Sequence, residues 1–235
     1  WNRNRVFDSF GFDKYISEEG FENNTRVGMG VLDEYLFVES LREINRLDSP
    51  YYLYIITVTS HMPFEAADII KSIDIPTDEY TGKYLKCINY SDRVFGQFYE
   101  ELDKSGYLDK SVIVIYGDHE GVHKYYPTSL PNNEKRIPYI VHISGMDGIV
   151  INKVGGQIDM MPTLAYLLGM NEEQYSDRVM GRNLFNDNGG AALLGNGSIV
   201  GRADDENHLL GAPMVSDLIL RGDFFKNEQN YSIDK

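Results

Sequence analysis

At 235 residues the chain is long enough for one substantial core, or for one large domain with an appendage. Its net charge of −14 argues against a binder of nucleic-acid phosphates, which needs clustered Lys and Arg, and against unaided docking on an anionic membrane. The single cysteine, Cys87, rules out an internal disulfide framework, and no apolar run approaches the roughly 20 residues that span a bilayer.

The chain opens on Trp1, in WNRNR, rather than on methionine, and is expected to be a fragment of a longer protein whose targeting and membrane segments lie upstream. Residues 1–30 are loop-rich, punctuated by Gly, Asn, Asp and Ser, with recurring aromatics. Trp1 and Arg3 can form a small anion site, Arg3 as a forked donor and Trp1 as an apolar wall, or can be a ragged terminus. Asp33 can cap a helix that carries Leu36, Phe37, Ser40, Leu41 and Ile44 and ends near Leu47. Tyr51–Thr59, YYLYIITVT, reads as a strand buried on both faces. It ends at a polar turn holding His61, which can move a proton, hold a phosphate, or simply be satisfied by backbone in the turn.

Residues 65–80 read as a loop or broken helix. An amphipathic helix follows over 82–106, with Tyr84, Leu85, Ile88, Phe95, Phe98 and Leu102 on its stripe, Cys87 off it, and Gly106 as its stop. Ser111–Gly121, SVIVIYGDHEG, is a second apolar strand that stops at Gly117 and presents Asp118 and His119 together. Strand, helix, strand implies a right-handed crossover in a parallel sheet, and ligands of such sheets sit at the carboxyl ends of the strands. A carboxylate and an imidazole there suit Mn²⁺, Mg²⁺ or Zn²⁺; alternatively Asp118 caps the next element and His119 is a surface residue.

His123 and Lys124 follow in a polar loop, placed to touch substrate or to stand in solvent. Ile137–Ser144 is a third strand, with His142 as a core or ladder histidine. Asp159 caps a helix over Met160–Leu168 that Gly169 ends, a structural role. Beyond residue 190, Asn196–Gly201, Met214–Leu220 and Phe224–Lys226 read as short strands, with Arg221-Gly222-Asp223 as a hairpin turn. The fold class is α/β: a largely parallel central sheet flanked by helices over 1–185, with a small antiparallel subdomain over 186–235.

Five motifs taken together, WNR at 1–3, TVTSHMPF at 57–64, SVIVIYGDHEG at 111–121, RIPYIVHISG at 136–145 and GGQIDMMPTLAYLLGM at 155–170, resemble the sulfatase-like branch of the alkaline phosphatase superfamily. Within it the chain looks like the extracellular domain of lipoteichoic acid synthases and related phosphoglycerol transferases. The resemblance implies a metal-dependent enzyme, typically with Mn²⁺ and otherwise Mg²⁺, whose threonine attacks phosphatidylglycerol. The phosphoglycerol then passes to a glycolipid or a polyglycerolphosphate chain. It implies that Asp118 and His119 are metal ligands, that His61 contacts glycerophosphate and assists proton transfer, and that Trp1 and Arg3 bind glycerophosphate. It places the protein on the outer face of a bacterial cell membrane, anchored by spans ahead of Trp1. In the family the nucleophilic threonine and an acidic ligand precede the WNR motif, so this stretch alone is expected to lack transferase activity and to hold metal weakly or not at all. The rival functions are a phosphodiesterase or other hydrolase on the same fold, and a non-catalytic surface domain that keeps it.

Overall fold

The computed structural model describes residues 3–76, 78–131, 135–186, 190–202 and 206–222. The core of the first compact unit, Trp1–Met146, is built where two helices cross. Helix α1, Arg3–Ser9, is short and is followed by a two-stranded antiparallel pair, β1 (Arg26–Val27) and β2 (Gly30–Val31). Helix α2 (Asp33–Ile44) buries Phe37, Ser40 and Ile44 against α3 (Glu79–Lys104), with the Phe37 and Phe98 rings stacked at 4.8 Å. Asp78 caps α3 by accepting the Thr81 N–H at 2.9 Å. Gly106, at φ +68°, closes the other end, where Tyr107 N–H bonds the Leu102 carbonyl and Gly106 N–H that of Asp103.

The buried face of α3 carries Cys87, Tyr90, Val94, Phe98 and Leu102, while Ile88 is exposed. Cys87 thus belongs to the core and Ile88 does not, the reverse of the stripe expected from the sequence. The buried row runs along 87-90-94-98-102: Phe98 and Leu102 are where the predicted stripe puts them, and the departure lies in the first half of the helix. Burial pushes the Cys87 thiol up to about 11, which leaves it inert as a nucleophile.

Strand β3 (Val112–Tyr116) pairs with β4 (Tyr139–Ile143), from Val112 opposite Ile143 to Tyr116 opposite Tyr139. The pair is antiparallel, as is every strand pair among the described residues. The crossover to a parallel neighbour expected from 51–59 is therefore absent from them. Residues 51–58 run without a ladder partner among the described residues. Their odd positions, Tyr51, Leu53 and Ile55, pack on the core, while Tyr52 and Tyr54 face outward. The outward tyrosines lie against Phe12 and Phe7, at 5.6 and 5.8 Å between ring centroids. One face only is therefore sealed by the core, in place of the two expected. His142 sits in β4 opposite Ile113, with its Nδ1 3.3 Å from the Tyr99 hydroxyl of α3.

The second unit, Asp147–Lys235, contains α4 (Met160–Leu167), the antiparallel pair β5 (Gly190–Leu193) and β6 (Ile199–Arg202), and α5 (Glu206–Arg221). Asp159 is fully buried and does not cap α4. Its carboxylate accepts the N–H groups of Gly156 at 2.8 Å and Arg182 at 2.7 Å, tying the start of α4 to the 180s. Met214–Leu220 is helical within α5, in place of the expected strand, and Phe224–Lys226 lies outside the described residues. The apolar run MVSDLIL is too short to tell strand from helix by pattern, and Leu209, one turn earlier, anchors the helix by burying. No helix among the described residues is long and apolar enough to cross a membrane.

Candidate functional site

Two turns of the first unit meet over one side chain, Tyr84 of α3. The first turn follows residues 51–58. Its end is pinned by Asp33, whose Oδ1 accepts the N–H groups of Val58 at 3.0 Å and Thr59 at 3.1 Å. The Asp33 N–H in turn donates to Thr59 Oγ1 at 2.8 Å. The chain then folds tightly: His61 N–H donates to the Val58 carbonyl at 3.0 Å, and Phe64 N–H to that of His61 at 3.1 Å. Phe64 closes the turn at φ +64°, a conformation costly for a bulky residue. Its ring is buried at 2% exposure, 5.5 Å from that of Tyr84, and that burial offsets the cost.

The second turn follows β3. Gly117 N–H extends the ladder to the Pro138 carbonyl at 3.1 Å. A Cβ at Gly117 would lie 3.2 Å from Ile137 Cβ and 3.3 Å from Pro138 Cδ, a tight fit that glycine relieves. A Cβ at Gly121 would run into the Tyr84 phenol, 3.0 Å from Cζ and nearer still to the oxygen. Val122, wholly buried, plugs the loop into the core. Between these glycines stand Asp118 and His119. One aromatic floor therefore sets the height of both turns, and burial raises the pKa of its phenol, keeping it neutral.

The result is proximity. The His61 and His119 rings lie 5.9 Å apart, edge to face, and Tyr125 is 6.4 Å from the first and 6.0 Å from the second. Each imidazole is fixed by its own backbone. His61 Nδ1 is 2.7 Å from the Met62 carbonyl, and His119 Nδ1 is 2.6 Å from the Glu120 carbonyl. A carbonyl only accepts, so each Nδ1 carries a proton, and in the neutral ring the lone pair is on Nε2. His119 Nε2 lies 3.7 Å from Asp118 Oδ1, and the Asp118 side chain is 83% exposed. The Lys124 ammonium stands 5.3 Å over the Tyr125 ring, adding positive charge at the rim.

An ion about 2.1 Å from each donor tolerates a donor separation of up to about twice that. Asp118 and His119 fit a divalent metal in donor type, tautomer and spacing. As a set they are incomplete: no group of three or more His, Cys, Asp or Glu side chains suited to an ion is found among the described residues.

Of the other residues singled out in the sequence, Trp1 lies outside the described residues. Arg3 is exposed at the start of α1, one turn ahead of Phe7, which packs on Tyr54. The Tyr116 hydroxyl donates to that of Tyr54 at 2.8 Å, which leaves α1 beside the end of β3. The pattern reading missed Tyr125 and took Tyr84 for ordinary core. No local signal marks Tyr125, whereas the glycine that Tyr84 forces at 121 was visible.

Comparison with known proteins bears on the family and the fold. Residues 1–170 match the sulfatase family. The chain is similar to lipoteichoic acid synthase 1 of Bacillus subtilis, at 30% identity over 85% of this chain and 34% of that protein. It is similar to the lipoteichoic acid synthase of Staphylococcus saprophyticus, at 32% identity over 74% of this chain and 30% of the other. The chain thus spans about a third of the length of the curated relatives it matches. The crystal structure of the lipoteichoic acid synthase LtaP from Listeria monocytogenes superposes with a TM-score of 0.69 at 26% identity, over 96% of this chain and 67% of that one. An alkaline phosphatase superfamily protein from Vibrio parahaemolyticus shares the fold, with a TM-score of 0.66 at 19% identity.

Proposed function

We propose, from the premise that this chain belongs to the sulfatase family, that it forms the phosphate- and proton-handling part of a phosphoglycerol transferase. The donor is phosphatidylglycerol, the acceptor a glycolipid or a growing polyglycerolphosphate chain, and the place the outer face of a bacterial cell membrane. The observation that carries the reading is the approach of His61 to His119 at 5.9 Å, which sets a basic nitrogen beside a carboxylate–imidazole pair. Relatives named lipoteichoic acid synthases supply the substrate class.

In this reading Asp118 and His119 hold a divalent ion, Mn²⁺ or else Mg²⁺, together with ligands outside the described residues. The ion, when bound, withdraws charge from phosphate oxygens and lowers the pKa of the attacking hydroxyl. His61 manages the proton through Nε2. In the first half-reaction a threonine outside this chain, entering as its alkoxide, bonds to phosphorus, the bond to the diacylglycerol oxygen breaks, and a protonated His61 gives that oxygen its proton. In the second half-reaction the now neutral His61 takes the proton of the acceptor hydroxyl as that oxygen bonds to phosphorus, and the bond to the threonine oxygen breaks, returning the alkoxide and the protonated His61. Trp1 and Arg3 bind the glycerophosphate, Arg3 by charge. Lys124, over Tyr125, adds positive potential against the surplus of acidic residues.

Turnover of phosphatidylglycerol by the intact enzyme tests the reading. Diacylglycerol with a glycerophosphate polymer supports it. Free glycerophosphate instead assigns a hydrolase, and no turnover with any divalent ion refutes it.

A further inference from the structure

Asp33 takes no part in the motifs above, yet it is fully buried, its carboxylate accepts three hydrogen bonds from distant residues, and its backbone N–H donates a fourth. Oδ1 holds the N–H groups of Val58 and Thr59, Oδ2 accepts the Ser91 hydroxyl of α3 at 2.8 Å, and its own N–H holds Thr59 Oγ1. One side chain thereby joins α2, α3 and the last two residues before the His61 turn. Val58, whose N–H is gripped by Asp33, also accepts the His61 N–H with its carbonyl. Residues 51–58 have no ladder partner among the described residues, so Asp33 replaces a sheet as the device that fixes where this segment ends. With no ladder to satisfy them, the N–H groups of Val58 and Thr59 take this side chain as their acceptor, and its removal would leave those donors unpaired and the segment end unfixed.

We infer that Asp33 is a positioning residue for His61: it fixes the end of the 51–59 segment so that the imidazole keeps one tautomer and one place opposite His119. The claim about catalysis rests on the function proposed above; the claim about the His61 ring does not. A misplacement of about 1 Å at a reacting group costs on the order of 100-fold in rate, so a clamp of this kind bears directly on turnover.

Two arms test it. In the full 235-residue chain, imidazole ¹⁵N spectra of His61 are compared among wild type, Asp33→Asn and Asp33→Ala. Asn retains an acceptor for Val58 and Thr59; Ala retains none. The wild type should show a single Nδ1-protonated tautomer, Asp33→Asn a nearly unchanged one, and Asp33→Ala a mixture. In the intact enzyme Asp33→Ala should lower kcat on the order of 100-fold with KM little changed, and Asp33→Asn should restore most of it. An unmoved His61 spectrum in folded Asp33→Ala overturns the inference. If Asp33→Ala does not fold, Thr59→Val, which removes the acceptor of the Asp33 N–H at nearly constant shape, carries the test, and an unmoved spectrum there overturns it equally. A moved spectrum with unchanged kcat keeps the clamp and sinks the catalytic role of His61, so the two claims fail separately.

Discussion

The two turns that form the rim are built by opposite means. The His61 turn is held by polar bonds: a buried carboxylate, a hydroxyl and the backbone N–H groups of Asp33, Val58, Thr59 and His61 define it before Phe64 seals it. The Asp118–His119 turn is held by fit: Gly121, where a Cβ would run into Tyr84, Gly117, where one would be tight, and the apolar plug Val122. The first fixes an orientation, since hydrogen bonds are directional. The second fixes a position and leaves its carboxylate largely exposed. A group that transfers a proton needs its angle defined, and a group that ligates a metal needs access.

The largest expected effect breaks the first turn's chemistry and leaves its scaffold. His61→Ala in the intact enzyme should lower kcat by about 10³-fold with an unchanged circular dichroism spectrum, and near-normal turnover would remove His61 from the mechanism. Next comes the fit of the second turn. Gly121→Ala drives a methyl into Tyr84 and should cost about 1–3 kcal/mol in denaturant unfolding, together with metal affinity. Wild-type stability would show that the loop is not held by that contact. Asp118→Asn should be gentler: the side chain is exposed, so stability stays the same while Mn²⁺ affinity of the intact enzyme falls about 10-fold or more by titration calorimetry.

The smallest effect lies away from the rim. The Lys14 ammonium, bonded at 2.5 Å, holds the Glu43 carboxyl below the usual glutamate range, with Arg46 assisting at 2.9 Å. Its folded pKa is depressed, so its stabilisation is complete above the ordinary glutamate pKa and is lost as pH falls through the folded value. Glu43→Gln should therefore narrow the stability gap between pH 7 and acid in urea unfolding, and an unchanged gap would dismiss the pair.

His61, Asp118 and His119 were legible in the sequence because a polar residue that interrupts a long apolar run marks a place where chain leaves the core. What joins them was not. The bonds from Asp33 to Val58, Thr59 and Ser91 span 25 to 58 residues, and nothing local distinguishes that aspartate from a helix cap. The run YYLYIITVT read as buried on both faces because tyrosine counts as apolar, yet Tyr52 and Tyr54 turn outward and lie on the aromatic rings of the first helix and the loop after it. The pattern puts Cys87 off the stripe because Ile88, the more apolar neighbour, takes the buried position in the first half of the helix, whereas Phe98 and Leu102 are placed correctly in the second. Antiparallel β3–β4 pairing was hidden by the loop over 117–138, long enough to allow either direction.

The central claim is that the two turns serve one phosphate. A crystal structure of the intact enzyme with Mn²⁺ and glycerol phosphate tests it most directly. The account predicts the ion on Asp118 and His119, with His61 Nε2 about 3 Å from a phosphate or leaving-group oxygen of the same ligand. An ion bound elsewhere, or a phosphate seated beyond the reach of His61, would contradict it.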